Sequence, residues 1–341
     1  MGKIMRIEIA QRLKPFSHQP GTYFILPGST LRLQIFPALI RIFDLSNNAE
    51  LGDVRFSIDG PLEQFTISQD LEKGQILVWG KAKHRFIRYR VAAHMQNAGM
   101  AITTENVNFS SNWNGVADNR DLFKPLPTAR LSLGSHKAQD WALMHRRRDL
   151  KEIFPIWNRL GQIVPELEGA GGLLEQCELA VKDGGRDNIL NFFYELFLAG
   201  FEGGLSPRSQ DTDYQGFAQP PLLNGSALAL LSKGSTLIRS LFLQINSDEI
   251  RFLPLLPPEF HCGRLNQAAC GKYGEVDIEW SKKLIRRVIF KAKYTGLVNF
   301  NFQKEIKQFR LRTSSQEIKL KACLPIEIQE NEFYWFDNFE K

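Results

Sequence analysis

Cysteine is scarce in this chain: Cys177, Cys262, Cys270 and Cys323 are the four in 341 residues. So few thiols cannot staple a chain of this length, and Cys262 and Cys270, with seven residues between them, have no second ligand pair to complete a zinc pattern. All four are expected as reduced thiols. The six histidines (His18, His84, His94, His136, His145, His261) show no paired ligand spacing, so no metal is expected. Gly-x-Gly-x-x-Gly, the P-loop and Gly-x-Ser-x-Gly are all missing, which removes the dinucleotide, nucleotide-phosphate and serine-hydrolase readings and leaves no cofactor expected. No apolar run approaches membrane-spanning length. The opening MGKIMRIEIAQRLK lacks the apolar h-region of a secretory signal, and Arg6 stands where myristoylation needs Ser or Thr. A cytoplasmic protein with no membrane partner is the expectation.

What is present is ordinary globular material. Hydrophobic residues make up 43% and charged residues 23%, and the length suits two or three domains. The net charge of +6 gathers at 145–148 and at Lys282, Lys283, Arg286, Arg287, Lys291 and Lys293, where basic residues alternate with apolar ones. Such alternation describes the wet faces of a helix and a strand, and no nucleic-acid motif accompanies it, so no nucleic-acid partner is expected. The oligomeric state is not written in these features.

Residues 1–100 read as β. Leu31, Leu33 and Ile35 alternate with polar neighbours, as do Val54, Phe56 and Ile58 before Asp59-Gly60, a hairpin dipeptide. Residues 75–79 and 86–91 add strands at a spacing that suggests a sandwich, and residues 36–43 fit a strand or a helix. An Asn-rich segment of turn chemistry follows up to Gly134. From Ser135, a candidate cap, to Gln244 the period turns helical. Pro155 marks a helix start or break, residues 173–181 and 189–201 form amphipathic helices, and Gly234 weakens the last one. Residues 205–224 form a long polar loop. After Glu249 the text returns to β, with Val276, Ile278 and Trp280 alternating against Glu275, Asp277 and Glu279. The predicted class is therefore α+β multidomain: an N-terminal β-sandwich (1–100), an Asn-rich segment and helical region (101–245) and a C-terminal β-sandwich-like domain (246–341).

The stretch EIRFLPLLPPEFHCGRLNQAACGKYGEVDIEW, residues 249–280, is where the helical region hands over to the last β-domain. Helix, then EIRFLPLLPPEF, then a Gly-rich corner and GEVDIEW resembles the helical-barrel-to-β-sandwich exit of glycoside hydrolase family 95, the α-L-fucosidases. Cys270-Gly271-Lys272-Tyr273 replaces the family's Arg-Gly-Gly group. The resemblance extends to Asn106-Val107-Asn108, Asn112-Trp113, Asn119 and Leu122-Phe123. It implies that Asn106 and Asn108 hold the hydrolytic water, with Asn112 and Trp113 near the sugar; a competing register sets Asn112-Trp113-Asn114 against a neighbouring Trp-Asn turn.

An inverting glycosidase needs a protonated carboxylic acid and a separate base, roughly 6.5–9.5 Å apart. Glu195, within Phe192-Phe193-Tyr194-Glu195-Leu196-Phe197, sits in an aromatic setting that favours the protonated form. Glu202, seven residues on, is its rival. The family's catalytic Asp has no counterpart: Pro220-Pro221-Leu222-Leu223-Asn224-Gly225 puts Asn224 in its place, and Asparagine cannot take the proton, so Asp211 or Asp213 would have to serve. A full ring of twelve helices needs about 300 residues, whereas residues 135–244 hold five or six helices, so the resemblance implies a reduced, partial α/α-barrel. Two functions follow as expectations: a divergent inverting hydrolase acting on a carbohydrate, fucosylated or related, or an inactive carbohydrate-binding or scaffolding descendant in which Trp113, Trp141 or Trp157 stack on sugars.

Overall fold

Alternating apolar strands dominate both ends of the chain in the computed structural model, which describes residues 6–94, 99–117, 128–169, 171–185, 188–208, 225–322 and 324–341. The first eleven strands are β1 (Phe16–Ser17), β2 (Thr22–Ile25), β3 (Leu31–Phe36), β4 (Leu39–Asp44), β5 (Ala49–Phe56), β6 (Glu63–Asp70), β7 (Gln75–Lys81), β8 (Phe86–His94), β9 (Gly99–Thr104), β10 (Phe109–Ser111) and β11 (Val116–Ala117). They make two sheets, ordered β1-β6-β7-β8-β9-β11 and β10-β5-β4-β3-β2. Period-2 burial aims Leu33, Ile35, Ile40, Ile42 and Val54 of one sheet at Ile67, Val78, Tyr89 and Val91 of the other. Phe56 stacks on Tyr89 across the gap, ring centroids 4.0 Å apart. Residues 36–43 prove to be a strand hairpin, β3 to β4. Asp59-Gly60 is not a hairpin turn: β5 and β6 belong to different sheets, so the dipeptide carries the chain from one layer to the other.

Between the sandwiches lie β12 (Arg130–Ser132) and five helices among the described residues: α1 (Trp141–Arg147), α2 (Leu150–Ile163), α3 (Gly172–Asp183), α4 (Ile189–Gly200) and α5 (Ala229–Ser240), with a small hairpin, β13 (Phe201–Glu202) and β14 (Ser206–Pro207), after α4. Asp140, not Ser135, caps α1, its carboxylate accepting from the Leu143 N–H at 3.1 Å. Pro155 neither starts nor breaks a helix. It sits inside α2, whose cap is Asp149. None of the described helices is long and apolar enough to cross a membrane.

The second sandwich pairs a seven-stranded sheet, ordered β12-β17-β18-β19-β24-β21-β22, with a four-stranded one, β15-β16-β20-β23. Its strands are β15 (Leu243–Ile245), β16 (Glu249–Phe252), β17 (Cys262–Ala269), β18 (Gly274–Ser281), β19 (Leu284–Ala292), β20 (Gly296–Asn301), β21 (Gln308–Arg312), β22 (Glu317–Lys321), β23 (Ile326–Ile328) and β24 (Phe333–Glu340). Phe300 meets Phe290 at 5.2 Å and Phe336 at 5.1 Å across the layers. The Gly-rich corner expected between residues 260 and 274 contains strand β17. Its alternation is broken by a bulge at Gln267, where φ is +55° and the backbone N–H donates to the Asp277 carboxylate at 2.8 Å.

Two seams join these parts. Residues 7–15 run from the second sandwich to the first: the Asn266 amide donates to the Ile7 carbonyl, Arg264 to the Glu8 carbonyl at 3.0 Å, and the Leu71 N–H to the Leu13 carbonyl at 3.1 Å. The other seam is aromatic. Trp280 of β18 stacks on Phe242 at 5.2 Å, Phe242 meets Phe260 at 6.1 Å, Phe260 meets Phe154 of α2 at 5.5 Å, and Phe154 meets Phe193 of α4 at 5.0 Å. Trp157 closes the series against Phe201 at 4.7 Å, its indole N–H donating to the Leu230 carbonyl at 3.0 Å.

Gly234, a weak helix residue by propensity, is the seat of that indole: a Cβ there would lie 2.6 Å from the Trp157 ring. Helix propensity alone makes Gly234→Ala stabilising by about 1 kcal/mol, whereas overpacking a full core costs about 1–3 kcal/mol. Because Trp157 is fully buried, packing decides the sign. Gly234→Ala is expected to lower the melting temperature and Trp157→Ala to cost about 3–5 kcal/mol; urea titrations of both would show it, and a stabilised Gly234→Ala would refute this account of the crossing.

Candidate functional site

The Asn-rich segment folds onto the edge of the first sandwich. Asn106 and Asn108 are exposed on either side of buried Val107, and the Asn108 carbonyl accepts from the Ser57 N–H at 2.9 Å. The Asn112 side-chain oxygen is spent on the Asp53 N–H at 2.6 Å, and Trp113 packs half-buried over Gly115. These residues serve the β10–β5 edge. Glu195 lies on the exposed face of α4, whereas the aromatic face it was expected to share, Phe193 and Phe197, points into the core. The helix period separates them: Phe193 and Phe197 are four residues apart, and Glu195 falls between. The expected apolar setting for this carboxylate is therefore corrected. Trp141 and Trp157 are core residues, 3% and 0% exposed, not open stacking platforms. Asn119, Asp211, Asp213 and Asn224 lie outside the described residues, as does Cys323.

Glu202 has the better position. Past the end of α4 the chain turns through Glu202-Gly203-Gly204-Leu205 and docks on β2 of the first sandwich. The Gly204 N–H donates to the Tyr23 carbonyl at 2.7 Å. Gly203 has φ +51°, and a Cβ on it would lie 2.7 Å from that same carbonyl, so only glycine allows this approach. The docked hairpin carries Glu202 to Arg32 of β3, 3.1 Å away. Arg32, 8% exposed, also donates to the Pro207 carbonyl at 3.4 Å and lies over the rings of Tyr23 (4.7 Å) and Phe43 (5.0 Å).

This docking leaves a cleft of about 490 Å³ between the first sandwich and α1, with Tyr23, Trp141, His145, Glu202 and Arg208 among its walls. The β1–β2 turn forms one side and is rigid by its own hydroxyls: Ser17 and Thr22 are 2.8 Å apart, and the Thr22 hydroxyl donates to the Gln19 carbonyl at 2.7 Å. Arg208 is positioned from two sides, its backbone N–H donating to the Gly200 carbonyl at 2.8 Å and its Nε to the Phe201 carbonyl at 3.2 Å. His145 stands at the rim with its ring against Phe197, centroids 5.8 Å apart. Partial burial, then the charges of Arg148 and Arg208, hold the imidazole below its ordinary value of 6.5. At neutral pH it is an uncharged donor and acceptor.

The cleft thus offers a carboxylate, a neutral imidazole, a guanidinium and a half-buried tyrosine ring. That set suits multidentate hydrogen bonding to a polar ligand. Among the described residues no group of three or more His, Cys, Asp or Glu is placed to hold a metal ion. The buried thiols are inert, since burial pushes Cys177 and Cys270 up to about 12. Glu202 and Trp141 were visible in the sequence. Tyr23, Arg32, His145 and Arg208 were not, and the Gly203-Gly204 pair was the one local sign that the chain there comes close to another backbone.

No protein-family model matches the chain, and no curated protein matches it. The family-95 resemblance therefore rests on the quoted residues alone.

The rim histidine gives a direct check. Its unfolded form binds a proton more readily than its folded form, so its contribution to stability is complete above about 6.5 and is lost as pH falls through the lower folded value. NMR titration is expected to place His145 below a free imidazole and to show an upward move in Arg208→Gln. A His145 that titrates at the ordinary value in both proteins would contradict the electropositive rim.

Proposed function

We propose that the chain is a non-hydrolytic carbohydrate-binding protein whose ligand site is the cleft between the first sandwich and α1. The observation that carries this reading is the pairing of Glu202: among the described residues it is the carboxylate on the cleft wall, and Arg32 already pairs with it at 3.1 Å. A carboxylate engaged by a guanidinium is set to accept hydrogen bonds from hydroxyls, whereas a general acid has to deliver a proton. Sugar recognition needs planar polar groups around a ring and an aromatic edge beside it, and Glu202, Arg208, His145 and Tyr23 supply them. The sandwich–helices–sandwich order accords with the resemblance at residues 249–280, with the five helices read as a cut-down α/α-barrel.

The hydrolase reading survives through one observation. Glu202, the rival acid, carried on β13 beyond the end of α4, lines a cleft, whereas Glu195 does not. A hydrolase would also need a base; Asp211 and Asp213 are the residues the sequence offers.

Calorimetry with monosaccharides and fucosylated oligosaccharides, beside a panel of aryl glycosides on the same sample, separates the readings. Binding without turnover is expected, with affinity lowered roughly tenfold in Glu202→Gln, about the worth of one charge-assisted hydrogen bond. Glu195→Gln is expected to change nothing. Turnover abolished by Glu202→Gln would establish the hydrolase, and an absence of binding by every sugar would end the carbohydrate reading.

A further inference from the structure

Among the described residues, the acids around the cleft are committed and two of its cations meet no carboxylate. Asp140 caps α1, Asp149 caps α2 and meets Lys137 at 3.6 Å, and Glu202 pairs with Arg32. Arg208 spends its Nε on the Phe201 carbonyl, and Arg148, at the left-handed C-cap of α1, donates to the Tyr194 hydroxyl at 3.2 Å. Among the described residues neither guanidinium meets a carboxylate. Both flank His145, and Arg208 lines the cleft itself.

A second, independent observation concerns Trp141. This wall residue is 3% exposed, and its indole N–H is buried with no acceptor. An unsatisfied buried donor costs about 1–3 kcal/mol, so a small turn of this wall residue that brings its N–H to a ligand's oxygen in the cleft is favoured. Ser206 of β14, fully buried beside the Glu202 turn, has a hydroxyl in the same condition. A wall with surplus positive charge and an idle N–H donor is made for oxygen-rich anions.

We infer that the cleft takes a sugar bearing an anionic group, a uronate carboxylate or a phosphate ester, with Arg208 gripping the anion through its free guanidinium edge. This rests on the carbohydrate reading of the same cleft. Arg148 adds long-range attraction from the rim, His145 and Glu202 address hydroxyls, and the Trp141 N–H supplies the buried donor. The ion pair Arg32–Glu202 keeps the one acidic wall residue among the described residues from repelling the anion.

The test uses the full chain, ¹⁵N-labelled at tryptophan, with the Trp141 indole resonance assigned by its loss in Trp141→Phe. Glucose, galactose, fucose, glucuronate, galacturonate, glucose 6-phosphate and inorganic phosphate are titrated into wild type, Arg208→Met and Arg208→Lys, at low and at raised salt. An anionic sugar is expected to bind at least tenfold more tightly than its neutral counterpart and to shift the Trp141 resonance. Arg208→Met should erase that preference with the melting temperature unchanged, Arg208→Lys should keep part of it, and salt should weaken it. Uronate or sugar phosphate, whichever binds more tightly, identifies the anion. Equal binding of neutral and anionic sugars at the cleft would overturn the inference and leave the carbohydrate reading standing. Inorganic phosphate binding as tightly as glucose 6-phosphate would overturn it too, since the sugar would then contribute nothing. Failure of every sugar, with or without phosphate binding, would be the failure of the carbohydrate reading itself.

Discussion

The contact on which the rest depends is the aromatic series from Trp280 through Phe242, Phe260 and Phe154 to Phe193, Trp157 and Phe201. It begins in the second sandwich, crosses α2 and α4, and ends at the first residue of the β13–β14 hairpin. Rings of this size carry most of the burial that a thin helical layer can offer. The edge-to-face contacts from Phe260 to Phe201 also fix orientation, which aliphatic packing does less sharply. Glu202 is one residue beyond Phe201, so the position of the cleft carboxylate is set by packing that begins at Trp280. Polar anchors hold the large rings: Trp280 donates to the Phe260 carbonyl at 2.9 Å and Trp157 to the Leu230 carbonyl at 3.0 Å.

From this constraint the cleft follows. α4 cannot rotate without unseating Phe193 and Phe197, so the hairpin after it meets β2 in one register, and the glycine pair permits contact at backbone distance. The cleft is what remains between the first sandwich and the helical layer, which touch at Gly204 and Arg32 and part at α1. Its chemistry is uneven for the same reason. Residues that make the contact, Arg32 and Glu202, are joined in an ion pair, while on the parted side Trp141 and Arg208 meet no carboxylate among the described residues.

Much of the architecture could be read from local pattern. The alternation of Val276, Ile278 and Trp280 gave β18, the run at 75–79 gave β7, and the helical period at 189–201 gave α4, because each pattern is complete within one element. β17 escaped because the bulge at Gln267 shifts its inward face by one residue, and Cys262-Gly263 and Ala268-Ala269 have little strand propensity. Ser135 looked like a cap because it precedes an apolar period, yet Asp140 stands at the true first turn. The cleft was harder to read. Arg32 and Glu202 are 170 residues apart, and Arg32 sits between Leu31 and Leu33 like any charged residue on a strand's outer face. Glu195 and Glu202 could not be ranked by sequence, since seven residues return them to similar helix faces; the helix ends at Gly200, and that end puts one on the cleft and the other in water.

The tie between Asn266 and Ile7 spans 259 positions. A chain made from its N-terminus completes the first sandwich while β17 does not yet exist, and β12 has no neighbour until then. At ribosomal speeds of about 5–20 residues per second, the opening residues wait roughly 13–52 s for their partner strand. Ile7 is thus secured only after β17 has emerged, and the exposed edge of β12 has to be kept from foreign strands throughout that interval.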